Sequence, residues 1–347
     1  MIHIPYRVRQ GLKRTVFALL ILVALAAAVG IFWFAWLQRY VVYTRDQGVV
    51  VDLHLSGEFP EGVVATPDVK ETVPISFDTP ESEKPENVNT ELKQMLGFYA
   101  DAQTLRTKMD MVKSQVALLE KDTPVMLDVK DGKGRFFYSS AINDQRNASI
   151  DPAEMDALIQ ALKEKDVYLI ARLPAFRDFY FGLTSTSNGL FVTSGGYLWA
   201  DADYCYWLDP TRHGTLMYLI SIVNELKSLG FDEVVFDEFR FPDTDDLLFS
   251  GDRTEALNKA AKTLLASCAT QNFAVSFMKQ VDGLELPSGR GRLYVTDVAA
   301  ADAEKVANQS GLENPIVNLV FLTPYRDTRF DTFSVLRPIE SAEAKTE

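Results

Sequence analysis

Three short apolar runs in this chain end in charged residues. Residues 230–242 read Gly-Phe-Asp-Glu-Val-Val-Phe-Asp-Glu-Phe-Arg-Phe-Pro, a β-forming run that closes on Asp237 and Glu238 with Arg240 just behind. Residues 124–129 close on Asp128, followed by Lys130 and Asp131, and residues 167–173 carry Arg172 near their end. Side chains alternate along a strand, so Glu233, Val235 and Asp237 share one face, as do Met126, Asp128 and Lys130. Two carboxylates facing one cleft can divide acid–base work. One protonates a leaving oxygen while the other attacks or activates water. The bland alternative is that Asp237 pairs with Arg172 or Arg240. Parity sends Glu238 away from Asp237 into the following loop, where it is exposed or salt-bridged, so Asp128 is the expected partner of Asp237.

A long connection, residues 174–209, contains Phe176, Phe179, Tyr180, Phe181, Tyr197, Trp199, Tyr204, Tyr206 and Trp207. Connections of this length are usually functional. Aromatic faces pack on the C–H faces of sugar rings, so Trp199 and Trp207 are candidate platforms for a glycan, with Arg172, Arg240, Lys130 and Tyr325 as polar contacts. The same rings could equally form the core of a lid. Asp209 before Pro210 reads as a helix cap, and Asp232 and Glu233, at the start of their strand, read as structural.

Elements must hold these groups in place, and the pattern that does so is an alternation of strands and helices from about residue 94. Strands are expected at 95–99, 124–129, 167–173, 233–237, 273–277, 293–297, 316–322 and 333–336. Leu105, Met109, Val112, Val116 and Leu119 recur at helical spacing, as do Leu216, Leu219, Val223 and Leu226. Asp151, Pro152 and Glu154 form a helix start, and Gly230 is a helix stop. Eight strands with intervening helices predict an α/β (β/α)8 TIM-like barrel over residues 91–340, irregular where it closes because the last two strands leave no room for a helix. In such a barrel the carboxyl ends of the strands carry the chemistry.

Residues 15–37 are uncharged and almost wholly apolar, long enough at about 1.5 Å per residue to span a bilayer core of roughly 30 Å. Arg7, Arg9, Lys13 and Arg14 precede them, and Trp33, Phe34, Trp36, Tyr40 and Tyr43 gather at the far end. The expected organisation is a basic cytoplasmic tail (1–14), a single transmembrane signal-anchor helix (15–37), a juxtamembrane segment and acidic Pro-rich linker (38–90), the barrel outside the cytoplasm (91–340) and a tail (341–347). A cleaved signal peptide is the competing reading, since Ala26, Ala27 and Ala28 offer small residues. A net charge of -13, from 48 acidic against 35 basic residues, argues against nucleic acid as a partner. With 3 His and 2 Cys, a His/Cys metal site is not expected, and no cofactor is. Cys205 and Cys268 could form a disulfide outside the cytoplasm, but one pair does not establish it.

The ordered series Leu127-Asp128-Val129-Lys130-Asp131, Ile170-Ala171-Arg172, Phe176-Arg177-Asp178, Trp207-Leu208-Asp209-Pro210 and residues 230–242 resembles the motifs of a bacterial glycoside hydrolase domain family once catalogued as a domain of unknown function. The resemblance covers roughly residues 96–325. It implies a TIM-barrel hydrolase acting on an envelope or extracellular polysaccharide, with Asp237 at the acidic position. Two departures stand out. Glu238 replaces the family's usual Tyr, and Ser276-Phe277-Met278-Lys279 lacks the acid the family tends to carry there, so Asp128, Glu238 or Asp282 would have to supply a second carboxylate. Two functions follow as expectations: a membrane-anchored glycoside hydrolase, or a degenerate barrel that binds a cell-wall glycan without cleaving it.

Overall fold

The computed structural model describes residues 41–44, 48–51, 92–145, 147 and 149–340. The chain divides into two units, residues 1–79 and 80–347. In the first, strands Val41–Thr44 and Gly48–Val51 pair antiparallel. The expected membrane helix and most of the linker lie outside the described residues.

The second unit is a closed barrel of eight parallel strands: β1 (Leu96–Ala100), β2 (Pro124–Asp128), β3 (Tyr168–Pro174), β4 (Glu233–Asp237), β5 (Ala274–Met278), β6 (Leu293–Val295), β7 (Leu319–Leu322) and β8 (Ser334–Pro338). Neighbours in sequence are neighbours in the barrel, and β8 pairs with both β7 and β1. All eight expected strands are present. The seventh starts later than its apolar run because Pro315, preset for a first helical turn, begins the short helix Pro315–Asn318 instead. The closing connection is a 3-10 turn, Thr328–Thr332, and it suffices to bring β8 home.

Strand parity sorts the core into two layers. Met95, Met126, Ile170, Val235, Met278, Tyr294, Val320, Leu322 and Leu336 pack together as the inner layer, while the alternate residues, among them Leu127, Val234, Phe236 and Phe277, join the larger core of strands and helices. Met126 and Val235 carry Asp128 and Asp237 with them to the inner face. Helices α1 (Ala102–Thr107), α2 (Met109–Leu118), α3 (Pro152–Glu164), α4 (Phe179–Thr184), α5 (His213–Leu229), α6 (Arg253–Cys268) and α7 (Ala303–Gln309) fill the connections together with the Pro315–Asn318 turn. The single helix expected from Leu105 to Leu119 is two, broken at Lys108. Asp151 caps α3 with Pro152 in its first turn, and Gly230 closes α5 at φ 93°, a conformation open to glycine. Asp209 is not the cap of α5: it binds Thr211 and Arg212 in the turn ahead, and the helix starts at His213.

At the amino end of the barrel Glu233 is fully buried. It accepts hydrogen bonds from Ser276 Oγ (2.5 Å) and the Tyr168 and Tyr294 hydroxyls (both 2.9 Å), and it pairs with buried Arg292. Asp232 accepts the Leu169 N–H at 2.8 Å. Both are structural, as their place on the strand predicts.

Candidate active site

β2, β3 and β4 lie side by side and set the polar groups of the mouth. Asp128 is level with Arg172, and Asp237 is level with Pro174, two residues further out. Arg172 grips Asp128 with both arms, Nε to Oδ1 at 2.5 Å and NH2 to Oδ2 at 3.0 Å, and the Ala102 N–H at the start of α1 adds a third bond at 2.7 Å. With both oxygens taken up by three donors, this carboxylate has little freedom to turn toward a substrate. Burial alone would lower the Arg172 pKa, but Asp128, with Asp237 behind it, outweighs burial and pushes it up.

Asp237 is differently placed. Its Oδ1 accepts the N–H of Glu238 at 2.7 Å, and among the described residues no side chain hydrogen-bonds or ion-pairs with it. Glu238, one residue on, has φ 45°, in the left-handed region that a non-glycine residue rarely occupies. Both Arg240 contacts, from Nε and NH2 at 2.8 Å each, fall on Glu238 Oε2. Oε1 is thereby left as the oxygen that can carry a proton. Burial pushes the Glu238 carboxyl above its ordinary range, and Asp237 adds to the shift while Arg240 opposes it.

Arg240 is itself held by the long connection. Its guanidinium lies 4.9 Å from the Trp207 ring centre, and the Trp207 Nε1–H donates to Asp201 Oδ2 at 3.1 Å. Arg177 in turn donates to Asp201 at 2.6 Å and to Asp203 at 2.8 Å. The connection between β3 and α5 therefore forms one wall of the mouth, braced by ion pairs.

Clefts of about 690, 360 and 240 Å³ open at this end of the barrel, and the first two adjoin the groups above. The wider, about 690 Å³, is lined by Tyr99, Asp101, Arg172, Asp297, Leu322 and Tyr325 among others. The narrower, about 360 Å³, lies against Glu238, Arg240, Trp199, Trp207, Asp201 and Asp243. Of the residues singled out from sequence, Arg172 and Tyr325 meet in the first cleft, and Glu238, Arg240, Trp199 and Trp207 in the second. Trp207 is buried and Arg240 covers it, so it serves as cleft wall and is not an open platform. Lys130 does not reach the mouth. Its ammonium is fully buried on Asp178 Oδ2 at 2.6 Å, which also accepts the Tyr218 hydroxyl at 2.9 Å. Asp282 is exposed in the loop after β5, and Met278 occupies the inner face at that strand's end.

Tyr99, Asp101 and Asp297 belong to the wide cleft and were not singled out from sequence. Tyr99 sits on the inner face of β1, and burial, then Asp101, pushes its phenol up. A signal existed: Asp101 directly follows β1 and Asp297 lies two residues past β6, positions where barrels carry chemistry. Cys205 and Cys268 are both buried and both free, so the disulfide allowed by location is not formed. Among the described residues no group of three or more His, Cys, Asp or Glu is arranged for a metal ion.

The sequence model of a family described as "Putative glycosyl hydrolase domain" matches residues 97–281. No curated protein matches the chain. Among solved structures, similarity is found to a hypothetical protein from Ruminiclostridium thermocellum (23% identity, 52% of this chain and 96% of that one, TM-score 0.44). The glycoside hydrolase domain of PelA from Pseudomonas aeruginosa is also similar (16% identity, 72% and 96%, TM-score 0.43). So is the alpha-galactosidase TtGalA from Thermus thermophilus (14% identity, 72% and 62%, TM-score 0.47).

Proposed function

The chain belongs to this glycosyl hydrolase domain family, and on that premise we propose a glycoside hydrolase acting on a polysaccharide, with Asp237 and Glu238 as the working carboxylates. The observation that carries the reading is the contrast at the end of β4. Among the described residues no side chain hydrogen-bonds or ion-pairs with Asp237, while its neighbour is a carboxyl whose pKa is raised. A carboxyl whose pKa is raised is suited to act as the acid of such a site.

In this mechanism Glu238 delivers the proton from Oε1 to the departing glycosidic oxygen. Asp237, ionised, attacks the anomeric carbon or takes a proton from the water that does. The C–O bond breaks, one water is consumed, and each product leaves with a hydroxyl. Asp128 does not react in this scheme, which revises the pairing expected from strand parity. It holds Arg172 at the mouth, where the guanidinium feels the charge of Asp237 as well.

Asp237→Asn should lower hydrolysis of a responsive glycan by about 10²–10⁴-fold with the melting curve preserved. Unchanged turnover refutes the assignment. A second reading, a barrel that binds glycan without cleaving it, is favoured by Met278 at the mouth end of β5 and by the clamp on Asp128. Retention of glycan with no product from the parent protein would select it. We also propose that residues 15–37 anchor the domain to the membrane with the barrel facing cell-wall or extracellular glycan. Release of the full chain by high-salt washing, without detergent, would overturn that part.

A further inference from the structure

We propose that the substrate is an internal stretch of a polysaccharide bound on both flanks of Asp237 at once, so that the enzyme cuts within chains and does not trim their ends. This deepens the glycoside hydrolase reading and rests on it. Of the clefts at the carboxyl end of the barrel, two adjoin neighbours of Asp237, one on each side, which gives room for a chain that continues past the cut in both directions. The volumes, about 690 Å³ and about 360 Å³, both fall in the range of small-molecule binding clefts.

Asp237 adjoins a lining residue of each. On β3 it is level with Pro174, one step outward from Arg172, which lines the wide cleft, and in the chain it adjoins Glu238, which lines the narrow one. Its charge is felt on both sides, by Arg172 and by Glu238. Each cleft also presents an aromatic ring suited to the C–H face of a sugar, Tyr325 in the wide one and Trp199 in the narrow one.

Backbone strain marks the same two places. Asp297 at φ 58° lines the wide cleft and Glu238 at φ 45° lines the narrow one. Both residues lie just beyond the ends of barrel strands. In the cut, the bond between a sugar in one cleft and a sugar in the other breaks, Glu238 protonates the departing oxygen, and one water supplies the hydroxyl on the anomeric carbon and restores the proton.

The test uses the parent protein, Asp237→Asn, Tyr325→Ala, Trp199→Ala and Trp199→Phe on soluble starch, dextran, xylan, galactomannan and glycol chitin. Reducing ends and chain-length distribution are followed together. The expected result on the responsive polymer is a shift of the whole size distribution before mono- or disaccharides accumulate. Tyr325→Ala and Trp199→Ala should each lower kcat/KM on it by about tenfold, the worth of one good ring contact, and Trp199→Phe should recover part of the loss. Small sugars from the outset with the polymer peak unmoved, or a loss confined to one flank, overturns internal cleavage while the hydrolase reading stands. No reducing ends above the Asp237→Asn background from any polymer removes the hydrolase reading, and this inference with it.

Discussion

Replacing Arg240 by Met should move the alkaline limb of the pH–rate profile upward. Arg240 contacts Glu238 Oε2 through two nitrogens at 2.8 Å and opposes a pKa already raised by burial and by Asp237. Met keeps an unbranched side chain that can lie on Trp207, but removes the charge. The pair is roughly three-quarters buried, with 28% and 25% of the two side chains exposed, so its strength lies between the two limits. An exposed pair is worth up to about 1 kcal/mol, and charges 4 Å apart at an effective dielectric of 20 about 4 kcal/mol. Losing that pair should raise the Glu238 pKa further, in the direction burial and Asp237 already push it. A general acid works while protonated, so the variant should stay active to higher pH, and Arg240→Lys should bring the limb back towards the parent. The assay is kcat/KM against pH on the responsive polymer. A limb that stays put or falls in Arg240→Met refutes Glu238 as the acid.

Stability offers further checks. The folded-state pKa of Glu238 is raised, so its stabilising contribution is full below the ordinary value of 4.5 and is lost as pH rises through the folded value. Glu238→Gln should therefore melt higher than the parent at neutral pH, and a lower melting temperature would contradict the raised pKa. Asp128→Asn should destabilise by about 3 kcal/mol in denaturant titration, because it strands the Arg172 cation in a largely buried site, whereas Asp237→Asn, which breaks no side-chain pair, should stay within about 0.5 kcal/mol. Glu233→Gln should cost about 3–5 kcal/mol by leaving buried Arg292 without its counter-ion. A Glu233 variant as stable as the parent would show that the cluster at the amino end of the barrel does not hold the fold.

The barrel was legible because its signals are local. Apolar runs, the Asp151-Pro152 start and the Gly230 stop each act within a few residues, and parity correctly sends Asp128 and Asp237 to the inner face. What parity missed is the reach of Glu238. Alternation separates neighbours only while the backbone stays extended, and at φ 45° the chain has left the strand. Glu238 meets Arg240 two residues on, but Arg240 is held by Trp207, which bonds Asp201, and those two come from a long loop distant in sequence. Lys130 failed for the related reason that its partner, Asp178, lies 48 residues away in sequence, and a buried ion pair leaves no local trace. Asp128 shows the same limit from the other side. Residue type and strand position made it the natural second acid, but three donors from β3 and α1 converge on it and occupy both its oxygens. The position of a carboxylate in a barrel can thus be read from one strand, while its protonation depends on what the neighbouring strands and loops place around it. In the proposed mechanism the partner of Asp237 is accordingly Glu238 and not Asp128.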